Sequence, residues 1–143
     1  MAEAVQVITP HLVVNDAAGA LEFYKKGLGA VEVMRLPAQD GKRLMHSEIH
    51  VNGARIFVVD DFPEMRAKDG ASNWGTPQML GGTTVTIHIE VANCDQAIKR
   101  MADAGATVTM PAWDAFWGAR YGQVVDPYGH SWSFAHPLPA KQE

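Results

Sequence analysis

The chain has 143 residues, 47% of them hydrophobic and 20% charged, with a net charge of −4. That content is enough to bury one core, and the acidic balance without any basic run argues against nucleic acid or an anionic membrane as partner. No apolar stretch approaches the roughly 20 residues of a spanning helix; the opening Met1-Ala2-Glu3-Ala4 does not read as a signal peptide and the lone Cys94 has no partner for a disulfide, so a cytoplasmic protein is expected.

Residues 8–14 are predicted as a buried strand ending at Asn15-Asp16. Asp16 then caps a helix whose apolar stripe is Ala17, Ala20, Leu21, Tyr24 and Leu28. Gly27 and Gly29 are expected to stop it. A strand follows through Val31, Val33 and Arg35, and Pro37 to Gly41 turn it. Residues 43–51 alternate, with Leu44, His46, Glu48 and His50 on one face. Asn52-Gly53 is a two-residue hairpin signal, and Ala54 to Val59 return. This first unit, residues 7–60, reads β-α-β-β-β.

Residues 61–82 form a connection rich in Gly, Pro and Asp. It is longer than a typical loop and reads as a lid or a partner surface. The second unit, residues 83–137, repeats the order. Val85 to Val91 is a strand. Asn93 or Asp95 caps a helix that turns Ala97, Ile98 and Met101 inward and ends at Gly105. Strands follow at 108–110, 120–125 and 131–135, with Asp126-Pro127-Tyr128-Gly129 as the last turn. Trp132 and Phe134 are expected in the core, His130 and His136 at the surface. Cys94 lies at a helix start, where a thiolate is favoured, although a small buried residue is the commoner reading. A tail covers 138–143, and the whole chain, 1–143, reads as one domain of two modules.

The two units superpose. Thr9, His11 and Val14 fall on Thr86, His88 and Val91, Leu21 falls on Ile98, Gly53 on Gly129 and Phe57 on Ser133. A repeat of this period names an architecture before any single residue does.

Tandem β-α-β-β-β modules resemble the vicinal oxygen chelate superfamily, which includes glyoxalase I, extradiol dioxygenases, fosfomycin-modifying enzymes and bleomycin-binding proteins. Ile8-Thr9-Pro10, Ala20-Leu21-Glu22-Phe23-Tyr24 and Met45-His46-Ser47-Glu48 look like its PhnB-like, glyoxalase-like branch. So do Phe116-Trp117-Gly118-Ala119-Arg120-Tyr121-Gly122 and Asp126-Pro127-Tyr128-Gly129-His130. The resemblance implies an α+β fold in which the tandem modules form a curved mixed sheet around a cleft, helices outside, and a homodimer. It also implies metal ligands on the first and last strand of each module. Those positions fall on Thr9, Phe57, Thr86 and Ser133. None is a usual ligand for Zn²⁺, Ni²⁺ or Fe²⁺, so the usual metal site is expected to be absent and no cofactor is predicted.

A step of two residues keeps the same strand face and offers His11 and His88. With His46 and Glu48 they make an alternative, displaced metal set for a lyase, isomerase or dioxygenase. The other reading is that these groups hydrogen-bond one another and a ligand. The expected function is binding of a small organic molecule, planar or anionic, with His11, Arg55, Phe57, Thr86, His88, Glu90, Trp117, Arg120 and Tyr121 lining the cleft. Arg55 and Arg120 are the candidate anion ligands; their competing structural partners are Glu48 for Arg55, and Asp114 or Asp126 for Arg120. Glu48 beside His46 is the candidate general base. Sequestration of a cationic drug, favoured by Glu48 and Glu90, is a further reading.

Overall fold

The computed structural model describes residues 6–65 and 74–140. The extreme ends of the chain and the middle of the connection, 66–73, lie outside the described residues, as does the signal-peptide reading of the first four.

The first module runs β1 (His11–Val14), α1 (Ala17–Leu28), β2 (Val31–Pro37), β3 (Leu44–Val51) and β4 (Ala54–Asp60). A short helix α2 (Pro77–Leu80) ends the connection. The second module runs β5 (Thr86–Glu90), α3 (Cys94–Ala104), β6 (Thr107–Asp114), β7 (Ala119–Val125) and β8 (Ser131–Pro137). Each module folds into a four-stranded mixed sheet, ordered β1-β4-β3-β2 and β5-β8-β7-β6. β1 pairs parallel with β4 and β5 with β8, while the other pairs are antiparallel. The repeat in sequence is therefore a repeat in topology.

Local chemistry sets the boundaries. The Asp16 and Asn93 side chains accept the backbone N–H of Gly19 and Gln96 and so open α1 and α3. Gly29 closes α1 at φ 67°, the left-handed geometry that glycine supplies without strain. Gly27 does not stop the helix. It lies inside α1, buried, where an added Cβ would meet the Met101 sulfur at 2.7 Å, so its role is the close approach of α1 to α3. Asn52 (φ 51°) and Gly53 (φ 82°) make the expected tight hairpin.

Two strands depart from expectation at prolines. β2 includes Pro37 and β6 runs on through Pro111 to Asp114. Both are edge strands, and β6 is bulged between Val108 and Trp113, so a missing N–H breaks no inner ladder. β1 is shorter than predicted, because residues 8–10 lie outside it. The Pro10 carbonyl still accepts the Phe57 N–H at 2.9 Å.

One face of each sheet lies under the helices. Val14, Ile49 and Val58 from the first module and Val124, Trp132 and Phe134 from the second share one cluster with Leu21, Tyr24, Ile98 and Met101. The modules are also joined by polar contacts. Buried Asp126 accepts from Tyr24 Oη at 2.6 Å and Trp132 Nε1 at 2.8 Å. Its second oxygen takes the backbone N–H of Tyr128 and His130. His130 and His136 are half-buried rather than exposed. His130 Nε2 donates to the Val13 carbonyl at 2.9 Å, and His136 Nδ1 accepts the Cys94 N–H at 2.8 Å. Cys94 is buried with its thiol on the Phe134 carbonyl, and burial pushes its pKa up rather than toward the thiolate expected at a helix start. Among the described residues no helix is long and apolar enough to cross a membrane.

Candidate functional site

The sheet faces turned away from the helices carry the candidate residues of the strands except Arg120, which shares its face with the helix-side Gly122 and Val124; Trp117 lies in the turn before β7. In the first module, register sets His11 opposite Phe57, Glu48 opposite Phe57 and His50 opposite Arg55. In the second, His88 stands opposite Ser133, and Ser133 opposite Gln123.

The first face is an aromatic cluster. His46 packs against Phe57 with ring centres 4.6 Å apart, and His11 lies 5.8 Å from Phe57 and 6.4 Å from His46, all edge-on. Trp74, delivered by the connection, closes on His11 at 5.2 Å. Burial of the ring, and after it the neighbouring His46, lower the His11 pKa below 6.5. The expected Glu48–His46 pair does not form. Glu48 Oε2 bonds His50 Nε2 at 2.8 Å, and His46 keeps to its aromatic neighbours.

Arg55 does not bridge to Glu48. Its Nε and Nη2 both donate to Thr9 Oγ1, at 3.0 and 2.8 Å, and Nη2 also donates to the Gln6 carbonyl at 2.8 Å. The guanidinium carbon stands 5.4 Å from the centre of the Phe57 ring.

The second face is a polar relay beside an aromatic band. His88 bonds Ser133 Oγ through Nδ1 at 2.8 Å and Glu90 through Nε2 at 2.6 Å. Tyr121 stacks on His88 at 6.0 Å, Trp117 meets Tyr121 at 5.5 Å, and Phe116 and Trp113 flank Trp117. Gln123 donates to Tyr121 Oη at 2.8 Å. Arg120 is engaged elsewhere. It forks onto Asp95 at the start of α3, at 3.0 and 2.9 Å, and reaches Asp114 at 3.0 Å. Of the two structural partners expected for it, Asp114 is real and Asp126 is not.

His11 and His88, paired by the repeat, each sit in a separate set of neighbours. The two modules do meet at a groove of about 330 Å³, walled by Gln6, Pro10 and Arg55 on one side and Ile87, His88 and Glu90 on the other.

The four positions that the resemblance gives to metal ligands are otherwise engaged. Thr9 holds Arg55, Thr86 Oγ1 bonds Ser131 Oγ at 3.1 Å, and Ser133 bonds His88. Phe57 has no lone pair to offer. Among the described residues no three His, Cys, Asp or Glu side chains gather where one metal ion could be held. This donor set does not fit a divalent ion.

Sequence reasoning missed His50 as the partner of Glu48, although two residues apart on a strand share a face. It missed Trp113 because Pro111 concealed the strand. Trp74 and Gln6 carried no local signal, since Trp74 lies in the connection and Gln6 ahead of the first strand, outside any periodic segment.

The chain matches the family model described as Glyoxalase/Bleomycin resistance protein/Dioxygenase superfamily over residues 5–134. An uncharacterized protein of Mycobacterium tuberculosis is 47% identical over 131 residues, covering 92% of this chain and 74% of that protein. Among solved structures, TioX from Micromonospora sp. ML1 superposes with a TM-score of 0.71 at 22% identity, over 94% of this chain and all (100%) of that one. A PhnB protein from Bacillus cereus superposes with a TM-score of 0.61 at 18% identity, over 92% and 99% of the two chains.

Proposed function

The chain belongs to the glyoxalase/bleomycin resistance/dioxygenase superfamily, and from that premise we propose that it is a PhnB-like member that binds a small organic molecule in a metal-free cleft lined by both modules. The observation that carries this reading is the occupation of the four ligand positions by Thr9, Phe57, Thr86 and Ser133, three of them tied into hydrogen bonds with neighbouring side chains. The same faces present aromatic surface at Phe57, Trp117 and Tyr121 beside His11, His88 and Glu90, which is the lining of a ligand cleft.

The test uses protein purified without an affinity tag. Metal analysis is expected to find no stoichiometric metal, and Ni²⁺, Zn²⁺, Mn²⁺ and Fe²⁺ are expected to leave the melting temperature unchanged. A thermal-shift screen of small organic compounds is expected to find saturable stabilisation. Stoichiometric metal that is lost in His11→Ala or His88→Ala replaces this reading with a metal-dependent lyase, isomerase or dioxygenase. Saturable binding of bleomycin alone assigns sequestration instead.

A further inference from the structure

We infer that Arg55 turns the first module's half of the family metal position into an anion subsite, which receives the carboxylate of a small hydroxy- or amino-acid-like ligand. This rests on the metal-free cleft proposed above and names its ligand chemistry.

Arg55 is placed by β4 two residues before Phe57, on the same face. It bonds Thr9 and stands over the Phe57 ring. A permanently charged guanidinium thus sits on both positions that would otherwise hold a metal, and repels a cation there.

Three other arginines are paired with carboxylates, whereas Arg100, like Arg55, donates only to neutral groups among the described residues, the carbonyls of Lys26 and Lys25, and lies away from the cleft between α1 and α3. Arg35 is neutralised by Glu32, Arg43 by Asp40 and Glu64, and Arg120 by Asp95 and Asp114. Arg55 has only neutral partners among the described residues: a hydroxyl and a carbonyl. Its Nη1 amine makes none of the hydrogen bonds found among those residues, which leaves two of five donors for a ligand.

The groove beside it supplies the rest of the recognition. Glu90, held by His88, forms the opposite wall as an acceptor. A ligand that satisfies both walls carries a carboxylate for Arg55 and a hydroxyl or ammonium donor for Glu90. The apolar lining from Pro10 and Ile87 covers its hydrocarbon part.

Mandelate has this chemistry, benzyl alcohol lacks the carboxylate and phenylacetate lacks the hydroxyl. Each of these, and inorganic phosphate as a bare anion, is titrated into ¹⁵N-labelled protein and followed at the arginine Nε–Hε signals and the backbone amides. Saturable binding is expected in the order mandelate, phenylacetate, benzyl alcohol, with the Arg55 Nε–Hε signal shifted. Arg55→Lys keeps the charge but loses the fork, and is expected to bind mandelate about tenfold more weakly. Thr9→Val, which frees the guanidinium to wander, is expected to weaken it in the same direction. Arg35→Lys is expected to leave it unchanged. Arg55→Lys binding mandelate with unchanged affinity, or benzyl alcohol binding as tightly as mandelate, overturns the subsite. So does the lack of a saturable shift with both mandelate and inorganic phosphate. In each of those cases the screen of neutral compounds still judges the cleft by itself.

Discussion

His11 lies on a sheet face turned away from the helices, and its surroundings shift its pKa. Burial and then His46 lower its pKa below 6.5. The folded state therefore binds this proton less readily than the unfolded chain does. Its contribution to stability is complete above about pH 6.5 and is lost as the pH falls through the lowered value. An NMR titration is expected to give His11 a midpoint below 6.5, and His46→Asn to raise it by the smaller of the two causes. A midpoint at or above 6.5 would remove the aromatic enclosure from the account. The residue scale is also where sequence reading was least secure. Arg55 and Arg120 were both candidate anion ligands by type, yet one holds Thr9 beside a groove and the other is neutralised by two carboxylates. Alternation fixes the face of a side chain, not its partner.

At the scale of elements, each last strand helps to open its own module's helix. Asp60, buried at the end of β4, accepts the Ala17 N–H at 3.0 Å with one oxygen and the Leu44 N–H at 2.7 Å with the other. His136, near the end of β8, accepts the Cys94 N–H. These positions correspond in the repeat, but one is a carboxylate and the other an imidazole, so sequence identity conceals the shared task. Asp60→Ala leaves two backbone donors without this acceptor in a buried place and is expected to cost about 3 kcal/mol. His136→Ala removes one cap and is expected to cost about 1 kcal/mol. Urea denaturation measures both, and equal losses would mean that the Leu44 bond contributes nothing. The helices, the Asn52-Gly53 hairpin and the inner strands were legible because periodicity and turn chemistry are local. The ends of β2 and β6 were misread because a proline is forbidden or tolerated according to position in the sheet.

At the scale of the whole molecule, the modules are pinned through Tyr24 and Asp126. Burial, followed by the Asp126 charge and hydrogen bond, raises the Tyr24 pKa well above 10.0. The unfolded phenol ionises first, so this contribution is present below about pH 10 and declines as the pH rises beyond it. Tyr24→Phe is expected to lose about 2 kcal/mol at neutral pH and to flatten the alkaline decline. An alkaline profile identical to that of the parent would show that Tyr24 is not its source. The molecule also leaves Val31, Met34 and Leu36 on β2 exposed at 63%, 40% and 52%, and Phe116 at 91%. We propose that a second copy covers these surfaces, since isolated chains rarely keep such patches bare. Sedimentation velocity is expected to give twice the 15.6 kDa chain mass, and Phe116→Asp to shift it toward the monomer with unchanged far-UV circular dichroism. A parent that sediments as a monomer at all concentrations would end the dimer reading.

The duplicated β-α-β-β-β order, the apolar face under the helices and the chemistry of the four ligand positions were determined by sequence alone. The first two follow from spacing along a single strand or helix, which is a local property, while the four positions are those that the resemblance to the superfamily implies. The tertiary structure decided who meets whom: Glu48 with His50, His88 with Ser133 and Glu90, Arg55 with Thr9 over Phe57, and Tyr24 with Asp126 across the modules. Those pairings depend on strand register and on the docking of one module against the other. Register and docking are fixed by the packing of the whole core, and no run of neighbouring residues encodes them.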